Sequence, residues 1–280
     1  MTVGEVVRRS TVYLADRGVE TPRLDAELLL GNALGLSRLE LYLEHDRPLE
    51  PAELDACREA VARRGRREPA AYILGEWGFR RLTLKVDRRA LVPRPETEVV
   101  VDVCLELLTS VPNPRVLDLG TGAGAIALAI ANEHPGAEVT ALDASPDALD
   151  LASENAGRTG LAGRVSFIHG DFAQHLPDGP FDIVVSNPPY VAQGELAAAD
   201  AEVRDWEPRE ALLGGLAEAR AIASAALGVL QPGGALVLEA AEQRAEATAE
   251  ALREIGYQDV TVVDDLAGRP RVVAARAPQI

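Results

Sequence analysis

From Arg115 onward the chain repeats one unit: an apolar, β-rich run, a glycine-bearing turn and a stretch with helical spacing. The runs read RVLDLG, AEVTALD, RVSFIHG, FDIVVSN, ALVLEA, VTVVDD and RVVAAR. The first five are separated by helix-compatible segments of ten residues or more. A hairpin turn needs about two residues, whereas neighbouring parallel strands need a crossover of about a dozen. This pattern restricts the region to a doubly wound α/β fold. Only LAGRP separates the last two runs, which fits an antiparallel pair at the sheet's end.

The preceding third reads differently. Val3, Val6, Val7 and Leu14 fall near helical spacing, and Thr21-Pro22 predicts an N-cap and first helical position. That second helix runs through Asp25 to Leu34 and stops at Gly35. Ser37 and Glu40 form a capping-box pattern, and Pro51 opens a helix running to the cluster Arg63, Arg64, Arg66 and Arg67. Residues 1–72 are predicted to be a small helical domain. Between 76 and 92 the period changes to two, with Leu82, Leu84 and Val86 alternating with Thr83 and Lys85, so a hairpin linker is expected over residues 73–92. The prolines of LVPRPETE bar a helix until about Thr97. The domain carrying the sheet is then residues 93–280. A length of 280 residues accommodates two domains, and 47% hydrophobic content can fill their cores.

The sharpest chemical signal is Asp118-Leu119-Gly120-Thr121-Gly122-Ala123-Gly124, where the first core strand meets a helix. Glycines permit a tight turn and close approach of a ligand, and the helix start offers free N–H groups. About twenty residues on, the second strand ends at Asp143, where a carboxylate can accept both hydroxyls of a ribose. Those features fit NAD or S-adenosylmethionine. The G-x-G-x-G spacing and a carboxylate at Asp118 favour S-adenosylmethionine, since a pyrophosphate would be repelled.

After the fourth strand comes Asn187-Pro188-Pro189-Tyr190, at the strand end that lines the crevice in such sheets. The lone pair of a planar NH2 group is delocalised and weakly nucleophilic. Acceptors on its N–H bonds, the Asn187 side-chain oxygen and the Pro188 carbonyl, would pull density onto the nitrogen as it attacks. Tyr190 can pack on the planar group. No obvious general base adjoins the motif, so transfer is expected to be flat in rate between about pH 6.5 and 9.

Composition excludes other classes. Twenty-eight Lys and Arg against 44 Asp and Glu give a net charge of −16, which repels phosphate backbones. A base-flipping adenine methyltransferase, which shares an Asn-Pro-Pro-aromatic tetrapeptide, needs a basic cleft. Here the arginines gather at 63–67 and 80–89, expected as a solvated face or as contact with an acidic protein. Cys57 and Cys104 match no disulfide framework or zinc spacing, and the four histidines are scattered. The start of the chain shows no signal-peptide pattern and no run approaches the ~20 apolar residues of a membrane span. A cytoplasmic protein is expected.

The chain resembles the HemK/PrmC family, which methylates the N5 nitrogen of the glutamine in the GGQ motif of peptide chain release factors. The likeness covers nearly the whole sequence. It includes Ala71 to Glu76 (AYILGE), PRPETE at 93–98, DLGTGAGAIALAIA at 118–131, VSNPPYV at 185–191, Glu207-Pro208-Arg209, Pro232-Gly233-Gly234 and DLAGRPRVV at 265–273. It implies a Rossmann-like class I methyltransferase domain with a seven-stranded mixed sheet, a small helical N-terminal domain that recognises substrate, and a β-hairpin linker. It implies S-adenosylmethionine as cofactor, held by Gly120, Thr121, Gly122, Ala123 and Gly124, with Asp143 on the ribose, Phe172 near the adenine and Asn187 nearby. Asn187, Pro188, Pro189 and Tyr190 would hold the substrate amide and carry catalysis, and Arg94, Pro95, Glu96 and Thr97 would wall the pocket. The implied partner is a release factor, met by a monomer without direct nucleic-acid or membrane contact. Two segments depart from the family pattern: Leu216-Ala217-Glu218 replaces Asp-Gly-Leu, and Leu238-Glu239-Ala240-Ala241 replaces Leu-Glu-Ile-Gly. A paralogue would reuse the amide site on an amide or amine of another protein or a small molecule, whereas an inactive adaptor needs a broken cofactor or acceptor motif, and both are intact.

Overall fold

The computed structural model describes residues 1–279, which divide into two compact units. The first comprises Met1–Glu76 together with Ala199–Trp206. Its helices are α1 (Val3–Asp16), α2 (Pro22–Leu34), α3 (Arg38–Leu43), α4 (Pro51–Gly65) and α5 (Ala70–Leu74). α1 starts at a capping box, Thr2 accepting from the Glu5 N–H while the Glu5 carboxylate accepts from the Thr2 N–H. The same reciprocal pair between Ser37 and Glu40 opens α3, as its sequence predicts. Thr21 does not cap α2; its hydroxyl donates to Asp25 Oδ1 instead. Val6, Leu14, Ala26, Leu30, Cys57 and Val61 form the unit's core.

Three of the arginines expected to be solvated or to await an acidic partner are engaged inside this unit. Arg64 is buried, donating to Asp25 at 2.6 Å and pairing with Glu202 at 2.7 Å. Arg67 pairs with the other Glu202 oxygen, and Arg63 with Glu68. Glu202 lies on the short helix of the returning segment, Ala201–Trp206. Burial of one guanidinium between two carboxylates leaves no uncompensated charge.

In the larger unit, Trp77–Ala198 with the chain from Glu207 onward, a seven-stranded sheet has the predicted mixed topology. After the hairpin strands β1 (Glu76–Phe79) and β2 (Leu82–Lys85) come β3 (Arg115–Leu119), β4 (Glu138–Asp143), β5 (Val165–His169), β6 (Phe181–Ser186), β7 (Leu230–Glu239), β8 (Gln258–Asp264) and β9 (Pro270–Arg276). The order is β5-β4-β3-β6-β7-β9-β8, parallel from β5 to β7 and antiparallel at β9 and β8. Side chains alternate between two cores. Val116, Ile183 and Val185 join one, while Leu117, Leu119 and Val184 join the other, which is why the central strands read as unbroken apolar runs. α6 (Thr97–Leu108) and α7 (Ala125–Glu133) cover the first face. The helices Leu216–Leu227 and Ala245–Ile255 cover the second.

The hairpin is an integral part of the larger unit, with Phe79, Leu82 and Leu84 buried in its first core. The reason is local: the Asn155 side chain, on the helix α8 (Pro146–Arg158), accepts from Lys85 N at 2.6 Å and donates to Lys85 O at 3.0 Å. Arg80 and Arg89, also expected as solvated, pair with Glu133 and Asp102, and with Asp87 and Glu154. No helix among the described residues is long and apolar enough to cross a membrane.

The strand order turns back at β3. Its next strand in sequence, β4, lies on one side and β6 on the other, and such a switch opens a crevice at the strands' carboxyl ends. Leu119 and Ser186 are paired in register, so the glycine loop and the Asn-Pro-Pro-Tyr segment leave the sheet side by side.

Candidate active site

Gly120, Gly122 and Gly124 take φ of +72°, +55° and +84°, a region that strains any residue with a Cβ. The N–H groups of Gly120 and Thr121 both donate to the Leu142 carbonyl at the end of β4. Asp118 clamps the loop from beneath. Its Oδ2 accepts from the Thr121 hydroxyl at 2.7 Å and the Ala127 N–H at 3.1 Å. It is wholly buried and does not line the cavity above, so its role is to hold the loop, where the sequence suggested that it selects the ligand by charge. Burial pushes its carboxyl up to about 7, against the pull of those hydrogen bonds.

A cavity of about 550 Å³ opens over the loop, within the range that small-molecule sites occupy. Gly120, Thr121, Gly122 and Ala123 form its floor, and Asp143 and Phe172 lie on its wall. Gly124 does not reach it. That glycine starts α7, where a Cβ would meet Leu128 at 3.1 Å and Ala152 at 3.2 Å, so close packing explains it. Asp143 accepts from Gly122 N at 2.8 Å with one oxygen and Ser145 N at 2.9 Å with the other. A carboxylate offers about four lone-pair sites, which leaves acceptors for two hydroxyls.

On the opposite wall stand Asn187 and Pro189, with Arg94 and Thr97. Pro188 and Tyr190 flank them without lining the cavity; the Tyr190 carbonyl accepts from Arg244, and burial raises its phenol above the usual range. Pro95 is exposed and Glu96 turns to Arg269, 3.3 Å away, so neither belongs to the wall expected of them. The segment leaving Asn187-Pro188-Pro189-Tyr190 is stitched to residues 212–214 by Val191, which donates to Leu212 and accepts from Gly214. A Cβ on Gly214 would stand 2.1 Å from the Pro189 carbonyl oxygen, so this position admits only glycine.

Several partners that order the site, Glu207, Glu239 and Asn155, have no role assigned from the sequence. Arg94 Nη2 donates to both Glu207 oxygens, at 2.8 and 2.7 Å, and burial raises the Glu207 carboxyl despite that pull. Thr97 donates to Glu239, at the end of β7, and accepts from Asn187. Asn155 Nδ2 also donates to the Ala123 carbonyl of the glycine loop. Glu207 and Glu239 fall in the family-pattern segments Glu207-Pro208-Arg209 and Leu238-Glu239, which are the signals that could have found them, while Arg94 and Thr97 line the wall as expected.

The wall favours a nucleoside over a dinucleotide. Among the described residues its cations are Arg89 and Arg94, and each is already held by carboxylates, so a pyrophosphate gains no free positive group.

Residues 5–75 match the PrmC N-terminal domain, and residues 98–204 the methyltransferase small domain. The release factor glutamine methyltransferase of Deinococcus radiodurans is 44% identical over 281 residues, covering 99% of each chain. That of Chlorobaculum tepidum is 43% identical, over 94% of this chain and 93% of its own. That of Geobacter sulfurreducens is also 43% identical, over 98% and 96%. With a matching N-terminal domain, a methyltransferase domain and likeness from end to end, the chain belongs to the release factor glutamine methyltransferase family.

Proposed function

We propose that this enzyme transfers the methyl group of S-adenosylmethionine to the side-chain amide nitrogen, N5, of the glutamine in the GGQ motif of a peptide chain release factor. The observation that carries the reading is the convergence of Asp143, the glycine floor and Asn187 on one cavity. Near-full-length likeness to proteins named for that activity supports it.

S-adenosylmethionine, when bound, supplies an electrophilic methyl group on a cationic sulfur. The chain's own residues do the rest. Asp143 accepts the ribose hydroxyls, the floor at 120–123 approaches the methionine portion, and Phe172 packs near the adenine. Asn187 Oδ1 and the Pro188 carbonyl accept the two N–H bonds of the glutamine amide. They orient its nitrogen and stabilise the positive charge that grows there as it attacks. The surplus proton leaves to water after transfer, because an amide nitrogen barely ionises before it. Tyr190 stays a neutral phenol against the planar amide.

The helical unit recognises the release factor and performs no chemistry. In this reading the enzyme is a cytoplasmic monomer that meets protein and not nucleic acid, as a net charge of −16 favours. Incubation with labelled S-adenosylmethionine and intact release factors, followed by mass mapping, tests the assignment. One methyl on the GGQ glutamine is expected; label on another residue, or none, refutes it.

A further inference from the structure

Thr97 stands between a buried carboxylate and the amide that faces the substrate. Its hydroxyl donates to Glu239 Oε2 at 2.6 Å and accepts from Asn187 Nδ2 at 3.3 Å. A hydroxyl has one proton, and an ionised carboxylate can only accept. The Thr97 proton is therefore committed to Glu239, and only its lone pairs face Asn187. A side-chain amide can turn over with little change of shape, but among the described residues it is its NH2 end that finds a partner, Thr97.

We infer that Glu239 is a positioning residue for methyl transfer: acting through Thr97, it fixes the Asn187 amide with Oδ1 toward the substrate N–H. The reversed amide would set donor against donor. This rests on the reading of Asn187 as the acceptor given above. Glu239 does not line the cavity and is 2% exposed, so it acts on the reacting nitrogen indirectly, and Thr97 is its hydrogen-bonded link to Asn187. The last residue of β7, it pairs in register with Val272 of β9, which holds it still. The sequence shows none of this, since Thr97 and Glu239 are 142 residues apart.

The arrangement depends on the charge of Glu239. Burial pushes its carboxyl up to about 7, while the Thr97 hydrogen bond and the Arg271 and Arg94 cations pull down and Glu96 pushes up. Arg271 faces it from β9, Arg94 and Glu96 from the turn before α6, and the Tyr190 phenol from the segment after β6. Protonated, Glu239 becomes a donor; Thr97 can then donate to Asn187 and the polarity of the chain reverses. The flat profile expected from the sequence gives way to a rate that climbs with pH through about 7.

Single-turnover methylation of an intact release factor by the full-length enzyme provides the test. Thr97→Val should slow transfer by roughly 10- to 100-fold, the scale of a misplaced catalytic contact, with KM and S-adenosylmethionine affinity within about threefold. Thr97→Ser, which keeps the hydroxyl, should stay within about threefold of wild type. The climb through pH 7 should vanish in Glu239→Gln, and Thr97→Val should add nothing in an Asn187→Ala background. A full rate in Thr97→Val, or a loss added undiminished to that of Asn187→Ala, overturns the proposal. If Thr97→Val does not fold, a step near pH 7 that survives in Glu239→Gln overturns it equally. An unimpaired Asn187→Ala enzyme would instead refute the acceptor reading on which the chain depends.

Discussion

Asp143 and Gly122 are joined by a hydrogen bond of 2.8 Å from the glycine N–H to the carboxylate. The group read as the ribose holder is thus also the group that holds the floor of the cavity in place. Its other oxygen accepts from Ser145, at the N-cap of α8. On that reading, removing Asp143 takes away two ligand acceptors as well as the bond to the loop, and both changes should weaken cofactor binding.

Asp143→Ala should lower S-adenosylmethionine affinity by about 2–4 kcal/mol, the worth of two hydrogen bonds to a charged acceptor. Asp143→Asn keeps one acceptor oxygen and should lose less. Calorimetric titration reads both, and an alanine variant with wild-type affinity would exclude the assignment.

Asn187→Ala should leave S-adenosylmethionine affinity within a few-fold and reduce kcat by roughly 10²–10³, the effect of losing one preorganised polar contact. Asn187→Asp retains an acceptor and should keep more activity. Steady-state kinetics with binding measured separately distinguishes these outcomes from a loss of cofactor.

The sheet was legible because its central strands are buried on both faces, which writes them as continuous apolar runs. α3 was legible because Ser37 and Glu40 are three residues apart and complete their cap locally. α5 and the helix at Ala201–Trp206 escaped notice, being five and six residues long and set by contacts distant in sequence. The same limit governs the site. The glycine loop and the Asn-Pro-Pro-Tyr segment are contiguous, so their chemistry can be read directly. Glu239, Glu207 and Asn155 act through partners 142, 113 and 70 residues away. Asp118 misled for a related reason: its position beside the loop is visible in the sequence, but not that it lies beneath it.

The proposal that the helical unit recognises the release factor is testable on α3. Leu39, Tyr42 and Leu43 on α3 are 67%, 76% and 67% exposed, and their i, i+3, i+4 spacing sets them on one face. Exposed apolar clusters of this kind mark interaction surfaces. Replacing Leu39 and Tyr42 together by Ser should lower kcat/KM for intact release factor by about tenfold, chiefly through KM, and leave S-adenosylmethionine binding unchanged. Unaltered kinetics would move the docking surface elsewhere.

Folding stability should fall as pH rises from about 5 to 8. Asp118 and Glu239 have carboxyls raised to about 7 by burial, so the folded state binds protons that the unfolded chain has released above about 4. Their contribution is complete below about pH 4 and is lost through about pH 7, up to about 4 kcal/mol for Asp118 and about 3 kcal/mol for Glu239. Carboxylates lowered by ion pairing, such as Glu154, act in the opposite sense but have finished doing so by about pH 5. Thermal denaturation across this range should show the decline, and Glu239→Gln should make it shallower. A Tm that rises from pH 5 to 8 would contradict the assignment.

Arg67 and Glu202 lie 135 residues apart in the chain. A ribosome adding about 5–20 residues per second takes roughly 7–27 seconds to travel between them. Throughout that interval the N-terminal helices have emerged without the segment that completes them: Arg64 already has Asp25, but Arg64 and Arg67 lack the carboxylate they share. The amino-terminal unit is first to be made but cannot be first to be finished; its last piece is delivered only after the chain has written the cofactor loop and the acceptor tetrapeptide.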